Sequence, residues 1–468
     1  MEAAVALIRD QPDARVRDQD GSQDGRAALE PAIREVGLRL EGRMRSRSTP
    51  GAWLDRRMME WAGQREDVRA ALFRFVDVAP ACRTPAEAGA HLHAFLSELE
   101  RPPRSLALAD RAASRRGLRR LAGAGGLAAT RRLGRRFIVA TDAEGAIRPL
   151  SRLWHAGACN ALDLLGEATV SVQEADRYRA RCLSTLEVLS RSVPSWREQP
   201  SLDSDSLGRL PRAHLSIKLS ALTAELRPDA PERGVASARE GLRDILRAGR
   251  ELGAHIHFDM ESLDDRETVM RSLFDVLEAP EFRDGPSAGL VLQAYLMDSG
   301  EQLTRILDWA RSHDRRSPLL VRLVKGAYWD YELVEAVQAG WAPPVYQDRA
   351  ECDRNFERLT RRLIDAHPLV RTAVASHNLR SVAHALAYQE SRGLAPGEVE
   401  YQVLLGLGEE MRAGLVGTGR RVRVYCPIGD LVAGMAYLVR RMLENTSNES
   451  FLRARAETED PELLLEAP

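Results

Sequence analysis

The sequence predicts a parallel α/β fold, a (β/α)8 barrel preceded by a helical N-terminal region. Three observations predict it. From residue 137 onward, short β-rich runs alternate with amphipathic helical stretches, the pattern of parallel strands joined by covering helices. Nine runs qualify: 137–140, 161–165, 215–219, 255–259, 289–295, 319–324, 372–376, 401–405 and 421–425. That is one more than the barrel needs. The run 137–140 is the weakest, so 161–165 is read as the first barrel strand. Third, polar and ionisable residues gather at almost every C-terminal strand end, where barrels of this kind carry their sites. A doubly wound open sheet gives a similar alternation, but no GxGxxG follows the early strands.

Ahead of the barrel, residues 1–27 are rich in Asp, Gln, Arg and Gly and are read as a disordered tail. Residues 28–136 read as helical, with apolar positions such as Ile33, Val36 and Leu40 and the amphipathic piece from Ala71 to Pro80. Between Arg101 and Arg136 eleven arginines stand against one acid, Asp110. This stretch is read as a solvated linker lying loosely on the barrel, in preference to a membrane-surface or partner-docking helix. The barrel is expected over 137–455 and an acidic tail over 456–468.

Composition excludes several classes of function. Hydrophobic residues make up 44% of 468, ample for one large barrel. A formal net charge of -1 makes no electrostatic case for nucleic acid. The five cysteines are scattered and show no CxxC spacing, which points to a reducing compartment and away from a zinc cluster. There is no apolar signal core or run of transmembrane length, so a cytoplasmic protein is expected. Of the 67 basic residues only Lys218 and Lys325 are lysine. Both lie in strand-like runs, Ser-Ile-Lys-Leu-Ser and Arg-Leu-Val-Lys-Gly, and mark positions that need a compact ammonium rather than a planar fork.

The expected strand ends carry Asp163, Gly166 and Glu167; Lys218 and Ser220; Asp259, Met260 and Glu261; Gln293 and Tyr295; Arg322, Lys325 and Gly326; Ser376, His377 and Asn378; Gly406; and Tyr425. Buried charges such as Lys218 and Arg322 require partners. His255 and His257 share one strand face, but no third ligand is evident in the sequence, so they are read as packing residues and no metal is expected. The convergence of Lys, Arg, Gln and glycine backbone favours phosphate or flavin handling. After residue 425 a helix is expected to open at Gly429-Asp430. In it Met435, Leu438, Val439, Met442 and Leu443 form an apolar face, and Tyr437, Arg440, Arg441 and Glu444 share the opposite one. Two adjacent guanidiniums suit a carboxylate, although a solvated charged face produces the same stripe.

The run Met435-Ala-Tyr-Leu-Val-Arg-Arg-Met-Leu-Glu-Asn445 resembles the last helix of the proline dehydrogenase domain of proline utilisation A (PutA) proteins. Ser216-Ile-Lys-Leu-Ser220, Phe258-Asp-Met-Glu-Ser262, Leu292-Gln-Ala-Tyr295, Arg322-Leu-Val-Lys-Gly-Ala-Tyr-Trp-Asp330, Ser376-His-Asn378 and Leu164-Leu-Gly-Glu-Ala168 resemble that family's motifs, in family order. The resemblance implies a distorted, TIM-like (β/α)8 barrel that binds FAD. It further implies oxidation of L-proline to Δ1-pyrroline-5-carboxylate, with electrons passed to a quinone at the membrane surface. Carried onto this chain, it has Arg440 and Arg441 hold the proline carboxylate with Lys218 beside them. Asp259 and Tyr425 line the substrate pocket, and Leu404 and Tyr437 supply apolar wall. Arg322 sits by the flavin N5, where a cation stabilises the reduced ring. Met260, Gln293, Val324, Lys325, Gly326, Ser376 and His377 hold the cofactor, and Glu167 pairs with Arg440 as a gate. Tyr425 leaves little room for a ring hydroxyl, favouring proline over hydroxyproline.

PutA proteins continue into an aldehyde dehydrogenase domain, whereas this sequence stops at Pro468. The expectation is a monofunctional enzyme, or half of a split system, whose product passes to a separate pyrroline-5-carboxylate dehydrogenase, with the protein cytoplasmic or peripheral on the inner membrane face. Two rival readings remain: an FAD barrel oxidoreductase for another carboxylated amine, and a non-catalytic barrel scaffold.

Overall fold

Eight parallel strands close a barrel in the computed structural model, which describes residues 23–46, 66–166, 169–313, 315–430, 434 and 460–468. They are β1 (Cys159–Leu164), β2 (His214–Ile217), β3 (His255–Phe258), β4 (Ser287–Gln293), β5 (Leu320–Val324), β6 (Arg371–Ala375), β7 (Val399–Leu404) and β8 (Arg421–Ile428). Each strand pairs with its neighbour in sequence, and β8 returns to β1 in parallel, Ala161 opposite Tyr425 and Asp163 opposite Pro427. Closure removes the open-sheet alternative. Helices cover the outside, among them α6 (Ala143–His155), α7 (Val172–Ser192), α8 (Pro231–Glu251), α9 (Leu263–Leu277), α10 (Ser299–Ser312), α11 (Trp329–Ala339), α12 (Arg349–Asp365), α13 (Leu379–Ser391) and α14 (Glu409–Gly417).

Side chains alternate between the two faces of each strand. The outward set is apolar: Leu215, Ile217, Ile256, Phe258, Leu290, Leu292, Val321 and Leu323 are all at most 1% exposed. They share one core with Leu242 and Ile245 of α8, Leu273 of α9, Ile306 of α10 and Phe356 of α12. At about 1.5–3 kcal/mol for each fully buried aliphatic or aromatic side chain, this layer supplies the main drive for closure.

The inward set is polar, where barrels of this type are usually filled by branched aliphatics. Glu400 of β7 takes both guanidinium arms of Arg423 of β8 at 2.8 Å. Burial raises the Glu400 carboxyl, but Arg423 and then Arg421 outweigh it and bring it down to about 2. A short hairpin, Ser204–Asp205 with Gly208–Arg209, lies across the N-terminal end of the barrel. Its Asp205 receives Arg371 at 2.7 and 3.0 Å. Nothing in the alternation of the sequence announces these two-residue strands.

One strand expectation holds and one changes. The run 137–140 is no barrel strand: helix ends at Phe137, and Ala140 makes one isolated parallel bridge to Ile428. Strand β8 does not stop at Tyr425 but runs through Pro427 to Ile428. Proline is tolerated there because β7 pairs with β8 only as far as Tyr425. The Pro427 carbonyl accepts from the Val139 N–H at 2.9 Å on the side β7 has vacated. A donor at Pro427 would face that same side, so no barrel bond is lost.

The arginine-rich stretch 101–136 is folded into two helices, α4 (Arg104–Ser114) and α5 (Arg119–Phe137), which correct the expected loose linker. They pack with α2 (Glu66–Val78) and α3 (Pro85–Leu96) around Val68, Phe75, Leu92, Leu96 and Ala113. Helices α3 and α5 approach backbone to backbone: a Cβ on Gly123 would stand 1.8 Å from the Pro85 carbonyl oxygen, and one on Gly89 2.3 Å from that of Arg119. Arginines alternating with Ala, Gly and Leu therefore decorate a real helix pair.

Helix α1 (Gln23–Ser46) lies on the barrel, with Ile33, Val36, Leu40 and Met44 buried in the main core. The tail expected over residues 1–27 lies outside the described residues through residue 22. Of the expected acidic tail, residues 460–468 are described and are not free. Leu465 is fully buried in the main core, against Gly37 of α1. Its carbonyl accepts from Arg380 of α13 at 3.1 Å, and the same guanidinium clamps Glu30 of α1 at 2.6 and 2.7 Å and Glu357 of α12 at 2.7 Å. Among the described residues no helix is long and apolar enough to cross a membrane.

Candidate active site

Strand ends at the C-terminal face bring together a four-part ionic floor. Asp259 follows β3, its N–H held by the Ile217 carbonyl at 2.9 Å. Its carboxylate accepts from Arg322 Nη1 of β5 at 2.8 Å and from the Tyr425 hydroxyl of β8 at 2.7 Å, with Lys218 Nζ 3.5 Å away. Lys218, which follows β2, donates to Asp163 of β1. Arg322 also reaches Ser216 Oγ at 3.3 Å, and its guanidinium carbon stands 5.3 Å from the Tyr425 ring centroid. Five strands thus share one network, and Lys218–Asp163 and Arg322–Asp259 balance each other in charge.

That network fixes protonation. Burial works against the Lys218 ammonium, yet Asp163 and Asp259 outweigh it and hold the lysine well above its ordinary range. Burial, then Asp163 and Asp259, push the Tyr425 phenol well above the usual tyrosine value. Both groups stay protonated at neutral pH and act as donors, so neither serves as a base.

Toward β4 to β7 the character of the cavity changes. Gln293 Nε2 donates to the Glu261 carbonyl at 3.0 Å, while its Oε1 is buried without a partner. Lys325 donates to Asp353 of α12. Gly326 has φ +129°, and a Cβ there would meet the Tyr295 ring at 2.2 Å, so only glycine fits this bend. His377 Nε2 accepts the Leu404 N–H at 3.0 Å, which leaves Nδ1 as the protonated nitrogen. Ser376 Oγ accepts the Asn378 N–H at 3.1 Å, and Asn378 caps α13 through Ser381 N.

All the expected site residues that fall among the described ones line one cavity of 390 Å³: Lys218, Asp259, Met260, Gln293, Arg322, Val324, Lys325, Gly326, Ser376, His377, Leu404 and Tyr425. Glu167, Tyr437, Arg440 and Arg441 lie outside the described residues. Asp163 and Glu261, read above as strand-end residues without a stated role, line the cavity too, as do Tyr328, Arg349 and Gln402, which were not singled out. Asp163 carried a signal, since a lysine in a buried strand must find a carboxylate. Asp353 carried none, because it reaches Lys325 from a helix 28 residues further on. At the other end of the barrel, His255 and His257 do have a third imidazole beside them, His214. It was missed because only strand register brings it there.

The family model described as Proline dehydrogenase matches residues 146–454. The chain belongs to the proline dehydrogenase family. A second model, the Proline utilization A N-terminal domain, matches residues 30–137. The bifunctional protein PutA of Escherichia coli is 29% identical over 340 residues, 71% of this chain and 25% of that protein. Proline dehydrogenase 1 of Bacillus subtilis is 26% identical over 323 residues, 69% of this chain and 90% of its own length. Among solved structures, PutA from Bdellovibrio bacteriovorus inactivated by N-propargylglycine aligns with a TM-score of 0.84 and 33% identity, covering 94% of this chain and 44% of that one. The chain thus spans about a quarter of the PutA sequence from Escherichia coli and under half of the Bdellovibrio PutA chain.

Proposed function

We propose that this member of the proline dehydrogenase family oxidises L-proline to Δ1-pyrroline-5-carboxylate, with FAD as acceptor and a quinone taking the electrons onward. The observation that carries the reading is the cavity itself. Every described residue that the resemblance assigns to substrate or cofactor lines it, with a charge-balanced floor at one side and an unpartnered amide acceptor at the other.

The residues present fit a flavin. The free Oε1 of Gln293 suits a ring N–H, and Lys325 with Ser376 and His377 supplies donors for phosphate and ring oxygens. Met260, Val324 and Leu404 provide apolar surface on the same cavity. FAD, when bound, accepts the two electrons and the hydrogen that leave the proline ring.

The chain's own residues do the rest. Lys218 and Arg322 are each matched by a carboxylate, so the floor has no spare positive charge for a substrate carboxylate. Arg440 and Arg441 would supply it, clamping the carboxylate and fixing the ring for reaction. Glu167, paired with Arg440, would close the site and exclude water. Tyr425, fixed as a donor on Asp259, shapes the pocket around an unsubstituted ring, and Arg322 presents a fixed cation to the cofactor side. Lys218 and Tyr425, held as donors, do not take the amine proton; solvent or the flavin would accept it. We also propose the division into a helical region over 28–136 and a barrel over 137–455, a separate dehydrogenase as consumer of the product, and a cytoplasmic location with contact at a membrane quinone.

The test is turnover of L-proline with a soluble quinone and identification of the product by mass. A product two hydrogens lighter than proline supports the reading; turnover of other carboxylated amines but not proline overturns it.

A further inference from the structure

Three imidazoles meet inside the barrel beneath the active-site floor. His214 opens β2, and His255 and His257 lie two apart on β3, with His214 opposite His255 in register. His214 and His257 are fully buried and His255 is 3% exposed. One nitrogen from each ring lies within 4.8 Å of the other two. His255 Nε2 and His257 Nδ1 are 3.2 Å apart, and the His214 and His255 ring centroids are 4.2 Å apart.

One hydrogen bond, His255 Nε2 with His257 Nδ1, lies inside the cluster, and it leaves the other inward nitrogens unsatisfied. Neither nitrogen of His214 nor Nε2 of His257 has a partner, although every neutral imidazole carries one N–H. A buried polar group left unpaired costs about 1–3 kcal/mol. By contrast His255 is oriented from behind: its Nδ1 is 2.8 Å from Ser287 Oγ, which leaves Nε2 turned toward the cluster, as an outer partner orients a ligating histidine. The neighbouring strand packs closely on the cluster and needs glycine to do so. A Cβ on Gly289 of β4 would come within 2.7 Å of His257 Nδ1.

We propose that His214, His255 and His257 form a structural transition-metal site of the zinc class, linking β2 to β3 inside the barrel. Imidazole nitrogen suits Zn2+, Cu2+ and Ni2+, and three such ligands with water in the fourth position make a common tetrahedral set. Burial and neighbouring charges hold all three rings well below the ordinary histidine value, so their lone pairs are available. The nearby arginines do not oppose a cation unchecked: Arg423 is matched by Glu400, Arg322 by Asp259 and Arg371 by Asp205. His257 lies two residues before Asp259, about 7 Å along the strand. The ion would therefore brace the floor from below without touching substrate.

The test is the metal content of untagged protein grown with added Zn2+, and separately with Co2+, then dialysed against EDTA. About one equivalent per chain is expected, with X-ray absorption showing imidazole nitrogens at about 2.0–2.1 Å. His214→Gln and His257→Gln should lose the metal and melt at lower temperature, while His155→Gln, an exposed histidine, should keep it. Less than about a tenth of an equivalent in the parent protein from either metal overturns the proposal. So does metal that survives in both cluster variants. If a variant does not fold, the absorption spectrum of the parent protein still decides, and no arm of the test depends on proline oxidation.

Discussion

Lys218 and Lys325 are the lysines kept in a chain that otherwise uses arginine, and each ends in the cavity against a carboxylate, Asp163 and Asp353. Lys218 sets one compact ammonium between Asp163 and Asp259, where an arginine would offer a planar fork of different geometry. We therefore expect Lys218→Arg, which conserves charge, to lower kcat/KM by about tenfold or more; unchanged kinetics would show that charge alone suffices. Tyr425→Phe removes one donor from Asp259, a loss of about 1–3 kcal/mol for a buried group. Its steady-state rate should fall about tenfold or more while flavin content stays constant. Arg441→Met should raise the KM for proline far more than it alters flavin content. Residue identity made these positions legible, and a buried lysine called for a carboxylate such as Asp163; the pairing of Lys325 with Asp353 was not legible, because a carboxylate 28 residues away enters through helix placement.

At the scale of elements, the eight barrel strands were readable because their apolar runs are bounded by helical stretches of different period. The failures have definite causes. Pro427 looks like a strand end, yet β8 runs through it because β7 has already stopped pairing at Tyr425. The hairpin at the bottom has no alternation to read, yet it delivers Asp205 to Arg371. Interior charge has a cost in acid. The Glu400 carboxyl is held at about 2 in the folded barrel, below its ordinary 4.5. Its contribution, about 3 kcal/mol, is present above pH 4.5 and is lost as pH falls toward 2. Glu400→Gln should melt lower at pH 7, since breaking a buried pair costs about 3–5 kcal/mol, and should lose less further stability than the parent between pH 4.5 and 3. Equal acid sensitivity of the two proteins would contradict this. In the helical region, Gly123→Ala forces a carbon into the Pro85 carbonyl, and proteolysis should then release residues ahead of the barrel.

Across the whole molecule, the two ends of the described chain meet on the barrel. Helix α1 and Leu465 pack together, and Arg380 ties both to the barrel helices. The sequence suggested a tail because Glu and Asp crowd it; one buried leucine reverses that. Leu465→Ala should lower the melting temperature, with a loss of about 2–5 kcal/mol for a filled core position. The barrel, its strand ends and their chemistry were legible together because each strand end carries its own motif. The charged interior was legible only as scattered Arg, Glu and His without partners. The most direct test of the account is anaerobic addition of L-proline to the purified protein, loaded with FAD, while its visible spectrum is followed. Bleaching of the bound flavin by L-proline is the predicted result. A flavin that stays oxidised in saturating L-proline, in protein that melts cooperatively, would contradict the account.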